Sequence, residues 1–176
     1  MKITKQLQKE FSKMNSVKVS LMVGTDEDLF AELMDCMLST DKELSRRAAW
    51  AMSFCYREHP FLFDKYVGKF VELMNSKIYH DAVLRTITQS LENMDIPEEY
   101  EGMAYEYGME ILLDPHAPIA VKAYSIQILQ NIARKFPELK QELVQVVQDR
   151  MEFETPAFRS RGKRVLKEFN LNNMNN

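Results

Sequence analysis

A chain of 176 residues with 45% apolar and 28% charged side chains is large enough for one domain with a full core and too apolar to stay disordered. Its formal net charge of −3 and pI of about 5.7 argue against the broad basic face that a duplex DNA binder needs to displace counterions from phosphates. Cys36 and Cys55 stand apart with no CxxC, and His59, His80 and His116 form no HExxH or i, i+4 pair; the composition therefore predicts buried free thiols, no metal and no cofactor.

In chain order, the first 24 residues carry five lysines and one glutamate, with no apolar run of the length of a signal peptide or membrane span. They predict a cytoplasmic protein without membrane contact. Apolar residues then recur at spacings of three and four rather than two, so the periodic segments read as amphipathic helices. The expected helices span 3–14, 26–38 (Leu29, Leu33, Met37), 44–58, 61–75 (Phe63, Val67, Phe70, Val71, Met74) and 80–93. They continue over 98–113, 118–135, 138–152 (Leu139, Leu143, Met151) and 157–169, and residues 170–176 (NLNNMNN) read as a flexible tail. Thr25 and Asp28 form a candidate capping box before the second helix. Pro60, Pro97, Pro118, Pro137 and Pro156 fall at the boundaries, where a residue lacking an N–H suits a first helical turn.

Four of these helices share a pattern. Arg47, Arg85, Lys122 and Arg161 lie 38, 37 and 39 residues apart, each followed by Ala48, Thr86, Ala123 or Gly162. A period near 40 with two helices per unit predicts an all-α fold without a β-sheet, an α-α superhelix of about four helical hairpins forming one domain over 1–169. The small residue lets the paired helix approach closely. The cation has two readings: it bonds a carboxylate or carbonyl of the neighbouring turn and keeps the units in register, or it faces a ligand.

The stretches SRRAAWAM and IAVKAYSIQIL resemble second helices of the HEAT and armadillo families, over about residues 26–169. That resemblance implies a curved helical array whose concave surface receives a protein partner. RRAAWAMSFC, AVKAYSIQIL and RSRGKRVLKEFN also resemble a group of short all-helical bacterial proteins, common in Bacteroidetes, some of which are labelled adenylosuccinate lyase. Lyases of that superfamily are far longer and carry an SSxMPxKxN loop with a catalytic serine, which this chain lacks, so the label is set aside. Arg46, Arg47 and Trp50 resemble locally the basic, aromatic cleft of HEAT-like alkylated-DNA glycosylases, which makes a glycosylase or nucleic-acid binder the alternative.

Charge is distributed unevenly. Between Glu92 and Asp114 there are eight acids and no lysine or arginine, whereas Arg159, Arg161, Lys163, Arg164 and Lys167 face only Glu168 in the last helix. The acids read either as solvated helix faces or as a docking surface for a basic partner segment made by Glu98, Glu99, Tyr100, Glu101, Tyr105, Glu106 and Tyr107. No short motif supplies a general acid or base, so no catalytic residue is assigned. The expected function is a non-catalytic scaffold or adaptor that binds another protein.

Overall fold

The computed structural model describes residues 2–172, with side chains described over 2–169. Among these residues there are ten α-helices and no strand. They form five consecutive pairs: α1 (Lys2–Lys9) with α2 (Lys13–Val23), α3 (Glu27–Met37) with α4 (Lys42–Glu58), and α5 (Val67–Leu73) with α6 (Asp81–Leu91). The last two are α7 (Glu98–Leu113) with α8 (Ile119–Lys135), and α9 (Lys140–Arg150) with α10 (Pro156–Asn172). Short 3₁₀ turns, Pro60–Tyr66 and Pro137–Leu139, lead into α5 and α9. The expected tail begins inside α10, and residues 173–176 lie outside the described residues.

The N-terminal pair corrects one expectation. A single helix over 3–14 is interrupted at residues 10–12, where the Ser12 side chain caps α2 by accepting from the Asn15 N–H at 3.0 Å. The buried amides of Gln6 and Asn15 hold the interruption in place: Gln6 Nε2 donates to Asn15 Oδ1 at 2.6 Å, and Asn15 Nδ2 donates to the carbonyls of Gln6 (3.0 Å) and Glu10 (2.8 Å). The expected capping box of Thr25 and Asp28 does not form. Asp26 caps α3 instead, accepting from the N–H groups of Asp28 and Leu29, two residues after Gly24 turns the chain with φ +49°.

The pairs stack in two layers. The second helices α2, α4, α6, α8 and α10 lie side by side in that order, and each first helix packs against its partner behind them. Hydrogen bonds link neighbouring units: Tyr56 Oη donates to Ser90 O (3.0 Å), Thr86 Oγ1 to Ala49 O (3.1 Å) and Asn131 Nδ2 to Glu92 O (2.9 Å). Each gives a shielded polar group a backbone acceptor one unit away. The small residues after the repeat cations are all buried, and a methyl group at Gly162 would come within 2.9 Å of Val147 Cγ1 and 2.8 Å of Met151 Sδ on the preceding helix side. The two helices of the last pair therefore close on one another where the pattern places its smallest side chain.

One hydrophobic cluster runs from Ile3 to Phe169. Phe30, Phe63, Phe70 and Phe158 are fully buried within it, each stabilising the fold by about 1.5–3 kcal/mol relative to exposure. Cys36 and Cys55 are free and buried, and burial raises both thiol pKa values. Arg161 of α10 reaches across the Tyr124 ring of α8, with its guanidinium 5.1 Å from the ring centroid, to pair with Glu92 at the end of α6. Second helices two places apart are thus joined by an ion pair that passes over the helix between them.

Candidate functional site

A concavity of about 470 Å³ opens at the N-terminal ends of α4, α6 and α8 and is lined by Phe11, Arg46, Trp50, His80, Asp81, Ala82, Arg85, Pro118 and Ala120. Its walls follow from local sequence. Asp41 caps α4 through the N–H groups of Glu43 (3.0 Å) and Leu44 (3.1 Å), which sets Arg46 and Trp50 one turn apart on the same face. His80 caps α6, its Nδ1 accepting from the Ala82 N–H at 3.0 Å, so Asp81 and Arg85 follow on the first turns. Ala82 and Ala120 contribute only methyl groups, which leaves the space between the larger walls.

One wall is a stack. The Arg46 guanidinium lies 4.1 Å from the centroid of the Phe11 ring, and that ring lies 5.0 Å from Trp50 at an interplanar angle of 59°. Glu43 accepts from Arg47 Nε and Arg46 Nη2, both at 2.8 Å, and these bonds, Arg47's foremost, hold its carboxyl below the usual carboxylate range. Arg47 also donates to Leu7 O at 3.0 Å. The stack is therefore tied to the N-terminal pair and oriented without any ligand.

The four repeat cations have different surroundings. Arg47 bonds the neighbouring Leu7 carbonyl, Arg161 pairs with Glu92, and Lys122, itself buried, pairs with half-buried Glu154 at 2.7 Å. Glu154 also accepts from Arg150 at 2.9 Å. Burial alone would raise the Glu154 pKa, but the bonds and charges of Lys122 and Arg150 outweigh it and hold the carboxyl below its ordinary value. Arg85 differs from these three: it is exposed on the cavity wall and takes part in none of the ion pairs found among the described residues.

A family model describing a HEAT repeat domain matches residues 3–169. The chain belongs to the HEAT repeat family. No curated protein and no solved structure matches it. The match includes the N-terminal pair, so α1 and α2 count as part of the HEAT array rather than as an appendage.

In this HEAT repeat protein the acidic segment is only partly a surface. Glu101 is buried and, with Asp95, accepts from Lys135 at 2.6 and 3.0 Å, while Glu110 accepts from Asn75. Tyr105 is buried too, its hydroxyl donating toward Leu139 O (3.2 Å) and Glu142 (3.1 Å); burial and the Glu142 carboxylate raise its pKa. Tyr100 and Tyr107 are half-buried against the core. Of the seven residues expected to form a docking surface, Glu98, Glu99 and Glu106 remain exposed, because the tyrosine spacing follows the core-facing side of α7. Among the described residues no cluster of His, Cys, Asp and Glu could hold a metal ion, and no helix is long and apolar enough to cross a membrane.

Sequence reasoning found Arg46, Arg85 and Trp50 but missed Phe11, His80 and Asp81 as their companions. Phe11 reads as the next turn after Leu7 when the first helix is taken as continuous. The signal that could have placed it is Ser12 followed three residues later by Asn15, a cap at a new helix start.

Proposed function

We propose that this HEAT repeat protein is a non-catalytic scaffold or adaptor that binds another protein on its concave face. The observation that carries the reading is the open cavity at the ends of α4, α6 and α8, walled by tryptophan and arginine, the side chains that most often anchor protein interfaces. The described residues bring together no metal cluster and no Ser–His or Cys–His pair in that cavity, whereas its aromatic stack is a preorganised contact feature and its unpaired Arg85 a charged one.

The test is affinity capture with the intact chain, followed by reconstitution with the purified captured protein and measurement of stoichiometry. A defined complex at micromolar concentration or below supports the scaffold. Failure to form any complex, together with salt-sensitive binding to duplex DNA that is lost in Arg46→Ala or Arg47→Ala, would replace it with the nucleic-acid reading.

A further inference from the structure

We infer that the cavity between α4, α6 and α8 is a docking site for a short acidic peptide segment carrying one large apolar side chain. The inference rests on the scaffold reading and names the chemistry of the partner. Three observations converge on it.

The first is charge. Arg46 and Arg85 stand on the cavity wall, and the first turns of α6 and α8 contribute to the same lining; α6 is capped by His80, whereas α8 begins after Pro118 with no side-chain cap, so its positive dipole end is left for a ligand to complement. Against these stands one carboxylate in the lining, Asp81. The local field therefore favours an anion, although the whole molecule carries a net charge of −3. A long polyanion would meet that overall charge; a short acidic segment meets only the cavity mouth, where Arg46 is shared with Glu43 and Arg85 is paired with no carboxylate.

The second is shape and apolarity. A volume of about 470 Å³ lies within the range of sites that enclose a compact ligand or an anchoring side chain. Trp50, Phe11, Pro118 and the methyl groups of Ala82 and Ala120 give it an apolar floor, and exposed Ile119 stands between the lining residues Pro118 and Ala120. A phosphate or a free carboxylate would use the arginines and leave this apolar floor wet. An acidic segment with a phenylalanine or leucine satisfies both.

The third is preorganisation. Arg46 is already stacked on Phe11 and bonded to Glu43, and Phe11 is already against Trp50, so binding orders little more than the Arg85 side chain. A nucleic-acid strand would also stack on these rings, but it needs further cations along its track. On the next second helix along, Lys122 is buried and paired with Glu154, which leaves that track without its next cation.

Trp50 is the only tryptophan in the chain, so its fluorescence reports this cavity alone. The intact protein is titrated with a short Asp/Glu peptide around a central Phe, the same acidic peptide with Ser for Phe, a Lys peptide with the central Phe, and an oligothymidylate of similar length. The first is expected to bind and shift Trp50 emission, with affinity about tenfold weaker when either the acids or the Phe are replaced. Arg85→Glu, an exposed change that leaves the circular dichroism spectrum unaltered, should weaken the first peptide by about tenfold or more. Tighter binding of the Lys peptide or of the oligothymidylate overturns the inference. So does absence of binding by the acidic Phe peptide, or binding indifferent to Arg85→Glu. A captured protein whose binding ignores Arg85→Glu would leave the scaffold standing and remove this assignment of its partner.

Discussion

Lys122 and Glu154 show how far one residue's role depends on what stands opposite. Both side chains are nearly sealed from water, at 5% and 8% exposure, and Arg150 provides the second donor to the carboxylate. Removing the acid strands a lysine in the interior, and Glu154→Ala should lower unfolding free energy by about 3 kcal/mol, read from the urea midpoint. Replacing both members by apolar residues, Lys122→Met with Glu154→Leu, should recover most of that loss. The same carboxyl sets a pH dependence. Its folded pKa is held below the ordinary value of 4.5, so its stabilising contribution is complete above that value and disappears as pH falls through the lower, folded pKa. Glu154→Gln should flatten the acid limb of a stability-against-pH curve; an unchanged acid limb would contradict the assignment. The repeating cation at Lys122 was legible from spacing alone. Its partner, 32 residues away in a loop, was not, because no local pattern marks a carboxylate that only the stacking of units brings near.

At the scale of the element, one glycine on α5 contrasts with one on its neighbour α7. Gly68 lies on α5 under the Tyr100 ring, and a methyl group there would run into that ring, whereas Gly102 in α7 faces open space. Gly68→Ala should destabilise by about 1–3 kcal/mol through overpacking. Gly102→Ala should stabilise by about 0.5–1 kcal/mol, since the position is already helical and the substitution restricts mainly the unfolded chain. Thermal melting of the two variants should therefore move in opposite directions. The helices from α3 onward were readable because their apolar residues are large and regularly spaced. α2 was not: it buries Asn15, Ser16 and Ser20 beside Val19 and Val23, so its packed face is half polar and gives no apolar rhythm. The turn over Pro60–Tyr66 was read as α-helix for the converse reason. Leu62 and Phe63 are buried there in a 3₁₀ winding, and spacings of three do not separate the two windings.

For the whole molecule, position in the stack orders the stability of its parts. α4, α6 and α8 each have a second helix on both sides and a first-layer partner behind, while α9 buries only Leu143 and Val147 among its eleven residues. Hydrogen exchange should find the slowest amides in α4, α6 and α8 and faster ones in α9; uniform protection along the chain would mean that the units do not open separately. The two-layer array itself followed from the 37 to 39 residue period. The clasp of Arg161 on Glu92 did not, since it joins residues 69 apart and skips a unit. Arg161→Ala should loosen the last pair and lower the thermal midpoint, with helix content by circular dichroism unchanged before the transition.

That skipped unit has a mechanical consequence. A row of hairpins joined only to their nearest neighbours yields softly when its ends are pulled, each joint giving a little. The Arg161–Glu92 clasp ties α10 to α6 past the α8 between them, so the C-terminal half should resist small tensions stiffly and then lengthen abruptly once the clasp parts.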